Sequence, residues 1–200
     1  MYVQDEQKFD LVKDISRNMN LLLREIGSNI SLLYNWTSIY DLTIFQTLSQ
    51  VIQRMLPQVQ FITQLMDTFV KQSQIQKAFL FDVKTKIHIA TDENPVEMMD
   101  YEICSELIDV LIDVSSIYGS TDSGENLKFD DHSGTKIRLH QQESDSDMNL
   151  ILRQVDKSLA LVCLINENKI VQQHLLNHNI DVFKDGLKKI FAAYETSKFT

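Results

Sequence analysis

Two hundred residues, 44% of them hydrophobic, suffice for one compact domain plus a smaller piece, and they exclude a fibrous or disordered chain. A net charge of −9 excludes the basic stripe on which nucleic-acid binding depends, and an acidic membrane surface would repel such a protein. The acidic start lacks the apolar core of a secretory signal, the longest apolar run is Leu159–Ile165, and two cysteines are too few for a disulfide framework. The chain is therefore expected to be soluble and intracellular, without direct membrane insertion, and to keep Cys104 and Cys163 as buried thiols.

From Asp5 to Ile26 the apolar positions Phe9, Val12, Ile15, Met19, Leu22, Leu23 and Ile26 recur every three or four residues and predict an amphipathic helix, stopped by Gly27. Ile30–Trp36 reads as a short buried strand, which alone would have unpaired edges. Asp41 is placed to cap a second helix with the stripe Ile44, Phe45, Leu48, Val51, Ile52 and Met55, which Pro57 breaks. A third helix carries Val59, Ile62, Leu65, Met66, Phe69 and Val70 on one side.

The second half changes character. Ala78–Phe81 and Ile87–Ala90, either side of a five-residue polar turn, predict a hairpin. Asn94, Pro95 and Glu97 read as the N-cap, first and third positions of a long helix ending near Tyr118-Gly119. A loop rich in Ser, Asp and Gly, with a short strand at Leu127–Phe129, leads into three strands at Thr135–His140, Met148–Val155 and Leu159–Ile165; the acidic turn Glu143–Asp147 is read as solvated. Ile180, Phe183, Leu187, Ile190, Phe191 and Tyr194 mark a terminal helix that tolerates Gly186 at about 1 kcal/mol relative to alanine. Strands that follow one another through short turns pair antiparallel, so the fold class is α+β, with helices packed on an antiparallel sheet.

Catalytic chemistry finds little footing. Five glycines scattered at 27, 119, 124, 134 and 186 form no phosphate-binding loop. His174 and His178 stand four apart, but two imidazoles fall short of the three or four ligands of a zinc site, so no metal is expected. Asp82, His88 and Asp92 could be imagined as an acid and base set across the hairpin, yet strand alternation turns His88 outward as a surface residue. Ser115-Ser116 has no convergent base, and no catalytic residue is assigned.

The long helix carries the functional signal. Met99, Ile103, Leu107, Val110, Leu111, Val114 and Ile117 form one stripe, and Cys104, Ile108 and Ile112 a neighbouring one, an apolar arc wider than one core face requires. A protein partner is expected to cover it, with Met99, Ile103, Cys104, Leu107, Ile108, Leu111 and Ile112 as the candidate interface; burial of both stripes inside the chain is the alternative.

At these residues the chain resembles a known family. Thr37–Asp41 with its following helix, Lys77–Asp82, Ile89–Asp92 with Pro95-Val96, Tyr101-Glu102, Ile108–Val110, Ile112–Ser115, Ile117–Gly119 and Leu159–Cys163 are similar, in order, to segments of the carboxy-terminal half of the Rag GTPases of the C/D type. The resemblance runs from about Thr37 to Tyr194. It implies a roadblock/longin-like five-stranded antiparallel sheet over residues 57–200, used for dimerisation, preceded in 1–56 by the C-terminal remnant of an α/β GTPase domain (helix, strand, helix). Thr37, Ser38 and Ile39 then match that domain's last guanine-side loop.

The resemblance further implies an A/B-type Rag as heterodimer partner, a roadblock scaffold complex at the lysosome, and TOR complex 1, recruited in response to amino acids. Localisation would be cytoplasmic, with recruitment to the lysosomal or vacuolar surface. In the full-length family GTP or GDP and magnesium are the cofactors. The phosphate loop and the Asn-Lys-x-Asp guanine box have no counterpart in these residues, so this chain is expected neither to bind GTP tightly nor to hydrolyse it by itself. Two other functions stay open, residual nucleotide-dependent switching and a stand-alone roadblock or longin-like trafficking adaptor.

Overall fold

The computed structural model describes residues 5–27, 30–35, 37–38, 40, 42–118, 134–139, 148–156, 158–166 and 173–197. They fall into two compact units, Met1–Thr47 and Leu48–Thr200, with the boundary inside the second helix.

The first unit holds α1 (Asp5–Glu25), which ends where Gly27 turns into the left-handed region at φ +69°. The strand expected at Ile30–Trp36 is not formed among the described residues: 30–35 are irregular, with Ile30, Leu32 and Leu33 exposed, and Trp36 lies outside them. β-branched and aromatic residues make a strand only where a neighbouring strand accepts their hydrogen bonds, and no described strand pairs with this segment. The next helix, α2 (Thr43–Met55), opens with the Leu42 carbonyl accepting from the Gln46 N–H and stops two residues before Pro57; Asp41 lies outside the described residues.

The second unit is a sheet with helices on both sides. α3 (Val59–Ser73) is followed by the hairpin β1 (Lys77–Asp82) and β2 (Ile87–Thr91), the long helix α4 (Met98–Tyr118), the strands β3 (Gly134–Leu139), β4 (Met148–Gln154) and β5 (Leu159–Asn166), and the terminal helix α5 (Gln173–Ser197). Among the described residues the strands form one five-stranded antiparallel sheet in the order β2-β1-β5-β4-β3. The proposed strand at Leu127–Phe129 and the turn at Glu143–Asp147 lie outside the described residues. β5 is buried from Leu159 to Ile165, as a central strand covered on both faces must be.

One face of the sheet carries Ala78, Leu80, Ala90, Leu161 and Cys163 and packs against Ile62, Met66 and Phe69 of α3 and Ile180, Phe183 and Leu187 of α5. Phe69 and Phe183 meet with ring centroids 5.3 Å apart. The other face carries Phe79, Phe81 and His88, over which α4 lays Tyr101. A register shift in the hairpin makes this division possible. Leu80 faces Ala90, but Phe81 faces His88, so Ile89 is an extra residue and the strand changes faces across it.

Two expectations about local structure are corrected here. α4 begins at Met98, with the Glu97 carbonyl accepting from the Tyr101 N–H, and not at the Asn94 cap. Asn94 is held elsewhere: its N–H donates to Asp92 Oδ2 and its carbonyl accepts from Lys77 Nζ. Gly186 has a packing reason as well as a propensity cost, since a Cβ there would lie 2.9 Å from Cδ2 of Leu65 on α3. In urea unfolding, Gly186→Ala is expected to be nearly neutral, because a helix-propensity gain of about 1 kcal/mol is offset by displacing Leu65. In a Leu65→Ala background the same change is expected to stabilise by about that full amount.

Candidate partner-binding face

The start of α4 is anchored to the sheet by a buried ion pair. Lys77 Nζ lies 3.2 Å from Asp92 Oδ1, with both side chains almost fully buried, and also donates to the Asp92 carbonyl at 3.3 Å. Asp92 Oδ1 accepts from the Ala78 N–H at 3.0 Å, and Asp67 of α3 accepts from the Glu93 N–H at 2.8 Å. Two carboxylates thus hold the connection between β2 and α4 through its backbone, so the direction in which α4 leaves the sheet is set by side chains remote from the helix itself.

Next along the helix, Tyr101 is buried against Phe81 and His88, with centroids 5.6 and 5.4 Å away, and its hydroxyl donates to the Lys86 carbonyl at 2.7 Å. That contact fixes Lys86 in the left-handed conformation it takes at the end of the hairpin turn, φ +59°. Burial raises the Tyr101 pKa to about 12 and keeps the phenol neutral. The expectation that His88 faces solvent is overturned: it points away from Ile89, which packs against the α3 and α5 side of the sheet, but the face it points to is covered by α4, and there it sits in a cage of Phe79, Phe81 and Tyr101. Burial first, and the nearby Lys77 charge second, lower its pKa to about 4. The His88 backbone is met by α2, its N–H donating to Ser49 Oγ at 3.1 Å and its carbonyl accepting from Gln53 Nε2 at 3.2 Å.

Burial divides the helix. Cys104, Leu107 and Ile108, together with Tyr101, are in the chain's own core. Ile103, Leu111 and Ile112 are half-buried. Met99, Val110, Val114 and Ile117 are 59%, 51%, 46% and 70% exposed, a stripe that follows one outer side of the helix. Of the seven candidate interface residues, Met99 is therefore the one fully on the outside, and Val110, Val114 and Ile117 extend the stripe beyond the set chosen from sequence.

The remaining candidates do not converge. Asp82 closes its own turn, accepting from the Thr85 N–H and hydroxyl, while Asp92 faces Lys77 and His88 lies among rings. His174 and His178 are both exposed on α5, and among the described residues no group of three or more His, Cys, Asp or Glu is arranged to hold a metal ion. Cys104 and Cys163 are free and buried, their thiols pushed up by desolvation. In the first unit, the Ser38 N–H donates to Thr43 Oγ1 at 2.9 Å and Ser38 Oγ accepts from the Tyr40 N–H at 3.1 Å; Thr37 is exposed and Ile39 lies outside the described residues. Among the described residues no helix is long and apolar enough to cross a membrane.

Comparison with known proteins bears on the same segments. Residues 2–108 match the family described as the Gtr1/RagA G protein conserved region. The chain is 38% identical to human Ras-related GTP-binding protein C over 196 residues, which is 98% of this chain and 48% of that protein. It is 35% identical to GTP-binding protein gtr2 of Schizosaccharomyces pombe over 194 residues, 95% of this chain and 60% of that protein. The chain thus spans about half the length of the first of these relatives. Among solved structures, Myxococcus xanthus MglB aligns with a TM-score of 0.48 at 14% identity, over 69% of this chain and 92% of that one. A Roadblock/LC7 domain from Streptomyces avermitilis aligns at 0.46 and 10% identity, over 65% and 97%.

Two outcomes are expected from the anchoring side chains. Asp92→Ala should lower the unfolding free energy by about 3–5 kcal/mol, because it leaves Lys77 buried without its counter-ion, whereas the double replacement Lys77→Met with Asp92→Leu should cost less; urea titration compares them. As pH falls from 7 to 4, His88 takes up a proton in the unfolded chain, with its ordinary pKa of 6.5, before it does so in the fold, so stability is lost across that window. The loss from this group is about 3 kcal/mol by pH 4, and unfolding of His88→Phe measured at both pH values should lack that share.

Proposed function

Since the chain belongs to the Gtr1/RagA family of G proteins, with relatives of the Rag C/D and Gtr2 kind, we propose that it serves as the C/D-type subunit of a Rag heterodimer and that the outer stripe of α4 is its pairing surface. The observation that carries this reading is the asymmetry of α4. Its inner face is filled by the chain's own core at Tyr101, Cys104, Leu107 and Ile108, while Met99, Val110, Val114 and Ile117 are left in water. Contiguous apolar surface of this kind marks a protein interface.

In this reading the partner is an A/B-type Rag. The pair docks on a roadblock scaffold complex at the lysosomal or vacuolar surface and helps recruit TOR complex 1 when amino acids are plentiful. Residues 57–200 act as the roadblock-type dimerisation domain, and 1–56 are the tail of a GTPase domain whose guanine-side loop includes Thr37, Ser38 and Ile39.

GTP or GDP with magnesium belongs to the full-length family. The residues here do not fit that group, because the polar atoms of Ser38 are directed to Thr43 and Tyr40, and a loop of this length offers no cradle for phosphates. No hydrolytic step is assigned to this chain.

Light scattering after size exclusion tests the pairing. The chain mixed with an A/B-type Rag carboxy-terminal domain is expected to elute as a one-to-one complex, and Val110→Asp with Ile117→Asp to abolish it while leaving the circular dichroism spectrum unchanged. A wild-type chain that stays monomeric beside that partner would remove the reading.

A further inference from the structure

The exposed stripe of α4 has a charged border on one side. Glu102, Glu106, Asp109 and Asp113 are spaced by four, three and four residues, which places them on a single ridge of the helix. At 3.6 residues per turn that ridge adjoins the line of Met99, Ile103, Val110, Val114 and Ile117; the opposite border of the line is Leu107, which is in the chain's own core, and the half-buried Leu111. The 21 residues of α4 include no Lys, Arg or His. Asp109 is held by Lys86 of the hairpin at 2.6 Å, whereas Glu102 and Glu106 are exposed and enter no ion pair among the described residues.

Resting on the pairing role proposed above, we infer that this ridge selects the partner: α4 accepts a helix whose apolar face is edged by Lys or Arg and rejects a second copy of this chain. When two identical helices pack antiparallel about a two-fold axis, each flank of the contact faces the same flank of its copy. Glu102 and Glu106 of one copy would then face the acidic ridge of the other with no cation on either helix. The net charge of −9 adds repulsion at longer range. A basic-edged partner turns the same ridge into attraction at the rim of the interface, where such charges act on encounter rate and discrimination more than on packing.

The test uses the whole chain, wild type and the double variants Glu102→Lys/Glu106→Lys and Glu102→Gln/Glu106→Gln, alone and with the A/B-type Rag carboxy-terminal domain, in 50 and 500 mM NaCl. Light scattering gives the assembly state and titration calorimetry the affinity. The wild type alone is expected to be monomeric in low salt, and its affinity for the partner to fall at least tenfold in high salt. The lysine variant should bind at least tenfold more weakly in low salt and lose the salt dependence, with the glutamine variant in between. Both replace exposed side chains, so the folded spectrum should persist. A wild-type complex indifferent to salt and to both variants overturns the ridge while leaving the pairing role in place. Absence of any wild-type complex, or a homodimer through this face, overturns the ridge and the pairing role, or its selectivity, together.

Discussion

The pairing of Lys77 with Asp92 is the constraint to which the geometry of the second unit is tied. Moving both charges out of water costs several kcal/mol for each, and the fold recovers it by using nearly every hydrogen-bonding position the two side chains have. Asp92 binds the lysine, the Ala78 N–H and the Asn94 N–H, and Lys77 reaches two backbone carbonyls of the same connection. A hydrophobic pair could fill that space, but it could not hold Asp92 and Asn94 of an irregular segment in one conformation. The ion pair acts on registry: β1 is joined to the exit of β2, and α4 starts in one direction only.

From that start, α4 is drawn onto the sheet by a few large contacts. Tyr101 ties it to the hairpin turn, Lys86 and Asp109 form a second tie half in solvent, and Cys104, Leu107 and Ile108 close the interior. A helix of 21 residues needs only one side for this. Its other side keeps an apolar line in water with an acidic ridge beside it, which is stable in isolation only because the inner contacts hold it. The division of labour between the two sides is what lets one element serve both as structure and as a surface for recognition.

Much of this architecture could be read from residue patterns, and the exceptions have physical reasons. Three- and four-residue spacing located α1, α2, α3 and α5, and the unbroken run Leu159–Ile165 announced a strand covered on both faces. The bulge at Ile89 could not be read, because one extra residue in a strand has no compositional mark, and the burial of His88 could not be read because alternation does not show that α4 covers the second face of the hairpin. Asn94-Pro95 has the composition of a helix start, yet the long-range pull of Lys77 recruited Asn94 for another purpose. Ile30–Trp36 has the composition of a strand without a described neighbour to complete it. For the candidate face, the width of the apolar arc was legible, but its partition was not: Cys104 and Ile108 look no different in sequence from Val110 and Val114, and only the position of the sheet separates them.

The contact of α2 with β2 carries a consequence for how such a molecule can assemble. β2 is an edge strand, and its second residue, His88, already has its outward N–H and carbonyl occupied by Ser49 and Gln53. Strand addition, the route by which sheets grow from chain to chain, is closed at that end. Any lengthening of the sheet must enter beside β3, and a molecule with a single point of entry can join one neighbour but cannot pass the pattern on. Two side chains of a flanking helix therefore set an upper limit on this mode of growth, favouring pairs and excluding fibres.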